Sequence, residues 1–374
     1  MRILQLSSAQ AFGGGERHLA DLANTLAARG HEVHAILRPH SPLNKELVGL
    51  PLENIAKLPL RNAFDAGSAR KLDRYVREHK IQILHAHMAR DYPLASYATR
   101  RNPGSKLIIT RHVLFPLNRF HSLTLSHVAR IIAVSEPVAR ELRASVSIPA
   151  KRIVVIPNGI DVQRFEQATS QSERLSFRRQ WKIPEQGSLI GTVGEIKPLK
   201  GHEEFLRAAA IIRRRLPAVL FLIAGMDNSR SKENLAGLEE LIAQLDLSGS
   251  VYIAGWIEDL ASLYRTLDVF VSASRTESFG LAIAEAMAAA TAVVATKTEG
   301  AGEIITSETG LLVPIGDVEG LAEAVIDLLD HENKRLRLAT SGRERIRERF
   351  SLERMVEETE SIYREVLNDS LHHE

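Results

Sequence analysis

Cysteine is absent from all 374 residues. That one absence excludes disulfide frameworks, thiolate zinc sites and a cysteine nucleophile, and it fits a reducing compartment. Long apolar runs are missing as well. The first seven residues, Met1-Arg2-Ile3-Leu4-Gln5-Leu6-Ser7, make one strand-length apolar run, too short for the core of a secretory signal, so a cytoplasmic protein is expected. The weakly polar stretch 279–296 carries Glu285 inside it. An ionised carboxylate in mid-membrane costs roughly 2.5–3.5 kcal/mol, so the stretch reads as a buried helix followed by a strand. There is no internal repeat, no low-complexity tract and no recognised nucleic-acid-binding module, and nucleic acid is not expected as a partner.

What is present describes an ordinary globular chain, with 44% hydrophobic and 25% charged residues. At roughly 100–200 residues per domain, its length predicts two domains. Apolar strand-length runs alternate with helical patterns, the signature of βαβ units and parallel sheets. The runs fall at 3–6, 33–37, 81–84, 107–109, 131–134 and 153–156, then at 189–193, 219–223, 251–254, 269–271, 292–295 and 311–313. Between the first two, Leu19, Leu22, Ala23, Leu26 and Ala27 form a helical stripe closed by Gly30. The expected fold is α/β: two doubly wound, Rossmann-like parallel-sheet domains facing across a cleft. Their boundaries are 1–166 and 167–350, with a linker at 167–173. A final helix in 351–374 has an apolar stripe but no strand after it, and is expected to dock across the two domains.

The net charge of +2 conceals an asymmetry: residues 1–165 hold 24 Lys and Arg against 12 Asp and Glu, and the remainder hold 24 against 34. The halves either attract each other or the basic half lies against an anionic surface. Lipid is the better candidate surface, because the segment 111–130 mixes Phe115, Leu117, Phe120 and Leu123 with positive charge, and Arg100 and Arg101 precede it.

Three segments lie where doubly wound sheets bind ligands, just after strands. The first is Phe12-Gly13-Gly14-Gly15-Glu16, whose glycines allow an anion to approach the start of a helix. It is not G-x-G-x-x-G, and Arg38 follows the second strand where an NAD site needs an acidic residue, so a dinucleotide oxidoreductase is disfavoured. A glycine turn without a ligand is the competing reading. The second segment is Gly194-Glu195-Ile196-Lys197-Pro198-Leu199-Lys200-Gly201. A lysine beside a helix N-terminus supplies the point charge a diphosphate needs; Lys200 is the first choice and Lys197 the second. The third is Glu277-Ser278-Phe279-Gly280-Leu281-Ala282-Ile283-Ala284-Glu285, where two carboxylates bracket the start of an apolar helix. A carboxylate on such a helix demands a partner, either sugar or ribose hydroxyls or an arginine.

Taken in order, these segments resemble the retaining glycosyltransferases of family 4. So do Val134-Ser135, Ile156-Pro157-Asn158-Gly159-Ile160-Asp161, Glu303-Ile304-Ile305 and Thr309-Gly310-Leu311-Leu312-Val313-Pro314. The resemblance spans almost the whole chain and implies the GT-B fold. It also implies a donor nucleotide-sugar on the second domain: Glu285 on the ribose, Glu277 on the donor sugar, and Phe279, Gly280, Leu281 and Lys200 at the diphosphate. Gly15 would add a backbone N–H, and His112, in Thr110-Arg111-His112, would lie near the reacting sugar; a packed or capping histidine is the alternative for it.

Two departures stand out. Glu195 replaces a common arginine, so Lys197 or Arg275 would have to compensate, or the diphosphate is held less tightly. Ala289-Ala290-Thr291-Ala292 lacks the usual Gly-x-Pro, a change expected to affect packing more than chemistry. The implied activity is transfer of a hexose from a nucleotide-diphosphate sugar to a glycan or glycolipid acceptor, in cell-surface glycan or lipopolysaccharide synthesis. Configuration would be retained and no cofactor used, and with no D-x-D pair at a plausible site no metal is expected. The expected location is cytoplasmic, either free or peripheral on the inner face of the plasma membrane. A GT-B sugar phosphorylase or nucleotide-sugar epimerase, and a non-catalytic sugar-binding derivative, are the alternatives.

Overall fold

A parallel sheet covered by helices on both faces needs strands that are apolar on both sides, and the first strand, β1 (Arg2–Ser7), buries all but its first residue. The computed structural model describes residues 1–117, 119–145, 148–166 and 170–369. The chain folds into two compact units: Met1–Gly159 together with the segment from Leu352 on, and Ile160–Ser351.

Among the described residues, unit 1 holds one seven-stranded parallel sheet. Its strands are β1, β2 (Glu32–Leu37), β3 (Ile55–Lys57), β4 (Ile83–Ala86), β5 (Lys106–Arg111), β6 (Arg130–Ala133) and β7 (Ile153–Val155), in the order β3-β2-β1-β4-β5-β6-β7. Ile3 lies opposite Val33 on one side and Ile83 on the other. Unit 2 holds β8 (Leu189–Val193), β9 (Leu220–Ala224), β10 (Val251–Ala254), β11 (Val269–Ser272), β12 (Ala292–Thr296) and β13 (Leu311–Val313), in the order β10-β9-β8-β11-β12-β13. In both sheets the strand order reverses beside the first strand, between β1 and β4 and between β8 and β11. Chains leaving those two strands diverge, so each sheet has a crevice beyond its carboxyl end at that point. The fold is the doubly wound, Rossmann-like pair that the alternation of runs implies.

Local signals act as expected in most places. Gly30, at φ +85°, ends the helix Gly14–Ala28, with the N–H of Gly30 on the carbonyl of Ala27 and that of His31 on Leu26. β3 was not anticipated: it is a three-residue edge strand with only two apolar residues. Residues 167–169 of the expected linker lie outside the described residues. Ser170 and Glu173 form a reciprocal capping box that starts the helix Gln171–Gln180, so these polar residues serve a helix end. The division between units falls at Gly159, ahead of the anticipated boundary after Glu166, because the short helix Val162–Phe165 belongs with unit 2.

The last helix, Leu352–Asn368, packs on unit 1, where Leu352, Met355, Val356, Tyr363 and Val366 join the core shared with Ile3 and Leu22. Its one buried acid, Glu360, meets Arg29 Nε at 3.1 Å, His31 Nε2 at 2.8 Å and Arg364 Nη2 at 2.5 Å. Burial alone would raise the Glu360 pKa; the hydrogen bond from His31 and the charges of Arg364 and Arg29 outweigh it and hold the carboxyl below its usual range.

Ala290 carries the consequence of the missing Gly-x-Pro. It sits at φ +54°, with its N–H on Met287 and that of Thr291 on Ala286, the geometry of a left-handed helix terminator that glycine adopts without strain. A left-handed alanine costs about 1–2 kcal/mol, whereas glycine adds about 0.4–1 kcal/mol of unfolded-chain entropy. Ala290→Gly is therefore expected to stabilise the protein by about 0.5–1 kcal/mol, read as a rise in the denaturant midpoint without a change in slope; a fall in midpoint would show that the turn is unstrained.

Candidate active site

The crevice at the β8/β11 switch point is built by glycines that let backbones touch. A Cβ on Gly201 would lie 1.9 Å from the Ala273 carbonyl oxygen, and one on Gly225 would lie 1.8 Å from that of Gly194. Gly201, at φ +68°, thus lets the helix His202–Arg215 start against the end of β11. The loop after β8 is pinned beside β9 by Gly194 N–H on Ala224 O at 3.0 Å and Ile196 N–H on Met226 O at 2.9 Å.

That placement sends Lys200 past Gly194 to Glu277, with Nζ 2.5 Å from Oε1. Ser274 Oγ donates to the same carboxylate oxygen at 2.8 Å, and the Gly300 N–H donates to the Glu277 carbonyl at 3.1 Å. Gly300 is required there: a Cβ would meet Glu277 O and both backbone polar atoms of Phe279 within 2.7 Å. Phe279 is buried, with its ring 5.6 Å from that of Phe350. Gly280, at φ +108°, begins the helix Leu281–Ala288 without a side-chain cap, so the amides of its first turn are left to an anion or to water. One turn on, Glu285 Oε2 accepts from the Tyr264 hydroxyl at 2.9 Å. Tyr264 is fully buried, and burial followed by the Glu285 charge holds its pKa well above the ordinary value, so it stays a donor.

The structure therefore brings Lys200, Glu277, Phe279, Gly280, Leu281 and Glu285 to one end of one sheet. The two candidate compensators for Glu195 are already engaged. Lys197 Nζ lies 2.6 Å from Glu195 Oε2, and Arg275 donates through Nε and Nη2 to Glu204 Oε1 at 2.8 and 2.6 Å. Asn228 also donates to Glu195. Burial would raise the Glu195 pKa, but these hydrogen bonds and the lysine charges lower it, so it remains a carboxylate. Tyr264, Ser274, Gly225 and Gly300 were not anticipated from the sequence. Tyr264, Gly225 and Gly300 act through partners far along the chain, a relation that spacing does not carry, and Ser274 is three residues from Glu277 in a loop whose turn the sequence does not specify.

Unit 1 holds the other two candidates side by side: a Cβ on Gly15 would lie 3.4 Å from His112 Cγ. Two further histidines surround His112. His18 is one helical turn after Gly15 and His87 follows β4, with His87 Nδ1 3.3 Å from His112 Nε2 and the His18 and His112 ring centroids 4.9 Å apart. Burial, reinforced by the neighbouring imidazoles, pushes the pKa of His87 and His112 well down, and burial brings His18 to about 4. All three are neutral at pH 7. The only available sequence signal was His85-x-His87 at the end of a strand, which puts both on one face.

Family models match along the same order of segments: Glycosyltransferase Family 4 over residues 12–164 and Glycosyl transferases group 1 over residues 173–345. The N-acetyl-alpha-D-glucosaminyl L-malate synthase of Bacillus anthracis is 26% identical, the alignment covering 96% of this chain and 96% of that one. The lipopolysaccharide core biosynthesis glycosyltransferase LpsE of Rhizobium meliloti is 30% identical over 91% of this chain and 93% of the relative. In three dimensions, Anabaena Alr3699/HepE in complex with UDP and glucose superposes with a TM-score of 0.85 at 21% identity, covering 96% of this chain and 98% of that one, which is a likeness of fold. Each family model falls within one of the two Rossmann-like halves apart from a few residues at their junction, and together they place this chain in glycosyltransferase family 4, built on the GT-B fold.

Proposed function

We propose that this glycosyltransferase moves a hexose from a nucleotide-diphosphate sugar to an acceptor hydroxyl, with retention of anomeric configuration and without a metal ion. The observation that carries the reading is the Lys200–Glu277 pair at the carboxyl ends of β8 and β11, with Glu285 eight residues further on. An ammonium held 2.5 Å from a carboxylate is a charge pair that a diphosphate and a sugar hydroxyl can share out between them. Lys200 then neutralises the leaving diphosphate together with the amides of Gly280 and Leu281, and Glu277 accepts from the donor sugar. Glu285, oriented by Tyr264, accepts from the ribose. In unit 1, His112 contacts the reacting sugar and the Gly15 amide adds a donor.

The reaction breaks the bond between the anomeric carbon and the phosphate oxygen and forms the acceptor bond on the same face. The acceptor proton passes to the leaving phosphate oxygen, so Glu277 positions the sugar and is not a nucleophile. Removing a preorganised donor to developing charge costs about 100- to 1,000-fold in turnover. Alanine at Lys200 is accordingly expected to lower kcat/KM at least about 100-fold, and alanine at Glu277 or Glu285 to lower it by loosening the donor, each with an unchanged circular dichroism spectrum; normal transfer by all three would overturn the site. Turnover is expected to survive EDTA and to give a product of the donor's anomeric configuration by proton NMR. Loss of activity in the chelator, or an inverted product, would contradict the mechanism.

We further propose an acceptor presented at an anionic membrane surface, as a glycolipid or lipopolysaccharide precursor would be, with the protein peripheral on the cytoplasmic face. Among the described residues no helix is long and apolar enough to cross a membrane. Phe64, Phe115 and Leu123 are exposed, and the Phe64 and Phe120 rings lie 5.2 Å apart, with Arg61, Arg70 and Arg90 exposed in the same unit. Other basic residues of the expected surface are spoken for. Arg101 pairs with Asp73, Arg130 with Glu365, and Arg111 is buried and donates to the Phe115 carbonyl; Leu117 is buried as well. Cosedimentation with anionic vesicles is expected at low salt and to fall as salt rises; no binding at low salt would remove the membrane from the account.

A further inference from the structure

We propose that His18, His87 and His112 form a binding site for one divalent transition-metal ion of the zinc class. Each offers a ring nitrogen, and the three nitrogens lie within 4.8 Å of one another. His87 Nδ1 and His112 Nε2 are already 3.3 Å apart. Two nitrogens bound to a tetrahedral ion at about 2.0–2.1 Å stand about 3.3 Å apart, so this pair needs almost no movement.

The surroundings prepare the lone pair of His87, and His112 can carry its own proton on the unpartnered Nδ1 when Nε2 turns to an ion. Gln5 Oε1 accepts from His87 Nε2 at 2.8 Å, which leaves His87 Nδ1 as the unprotonated nitrogen and fixes the ring, as an outer-shell acceptor does in metal sites. His18 is 3% exposed, with the Asn158 side chain as its polar neighbour but no well-formed hydrogen bond at either ring nitrogen, and His112 Nδ1 has no partner. Buried imidazole nitrogens without partners are rare and call for a reason. His85 is excluded as a ligand because both its nitrogens are engaged, by Tyr363 and Thr110. His112 is partly exposed, which gives an ion a path in and a water as fourth ligand. An all-imidazole set selects zinc, copper, nickel or cobalt over magnesium or calcium.

The site is distinct in kind from a metal at the diphosphate, whose candidate residues belong to unit 2. Its consequence rests on the role proposed above for His112: an ion holding that imidazole takes it from the sugar, so zinc inhibits transfer.

The full chain, stripped with EDTA and exchanged into buffer, is titrated with Co²⁺ and followed by visible absorption, then with Zn²⁺ in competition. One equivalent with an intense tetrahedral spectrum is expected, displaced by Zn²⁺. His18→Gln and His87→Gln are each expected to weaken binding at least about 100-fold, while a His372→Ala/His373→Ala double variant retains it. Zn²⁺ is also expected to raise the melting temperature of the wild type and not of either variant, a readout that first establishes that the variants fold. A weak octahedral spectrum, or binding that survives both substitutions, would overturn the site. Binding without inhibition of transfer would leave the site standing and overturn the role given to His112.

Discussion

The ion pair between Lys200 and Glu277 is the constraint around which unit 2 is arranged. A lysine at the end of the β8 loop reaches a carboxylate beyond β11 only because Gly201 and Gly225 let the backbones close to distances that exclude any side chain. Gly300 does the same for the loop that carries Glu277. These glycines are structural in the strict sense, since they set where charge sits, and the charge is what the chemistry uses. Tyr264 extends the arrangement one helical turn further by holding Glu285, so both carboxylates have a stated donor.

Charge balance explains how Glu195 is tolerated. Each cation in the loop region has its own carboxylate: Lys197 with Glu195, Lys200 with Glu277, Arg275 with Glu204. Glu195 therefore presents a neutralised pair, not a bare negative charge, to anything bound above the loop. In this arrangement the ammonium of Lys200 and the amides after Gly280 are the groups through which the crevice attracts a diphosphate.

Much of this was legible in the chain. Twelve strands announce themselves because parallel strands are apolar on both faces, and Gly30 marks a helix end because only the left-handed region closes it. The edge strand Ile55–Lys57 does not, since three residues at a sheet border need little burial. The polar residues Ser170 and Glu173 looked like linker because capping and loop residues are chemically alike. Lys200, Glu277 and Glu285 could be picked out by their position after strands. Tyr264, His18 and His87 could not, because what makes each of them matter is a neighbour tens of residues away. Ala290 shows the reverse case: a departure in sequence became an alanine in the left-handed region of the backbone.

Four neutral histidines occupy the corresponding end of unit 1, around Gly15 and His112, and give that unit a chemistry of lone pairs where unit 2 has charges. The chemistry proposed for the protein turns on unit 2. Its most direct test is a crystal structure with a nucleotide-diphosphate sugar: Lys200 Nζ should leave Glu277 for the phosphate, Glu277 should accept from the sugar, and Glu285 from the ribose. Phosphates bound elsewhere, with the Lys200–Glu277 contact intact, would contradict it.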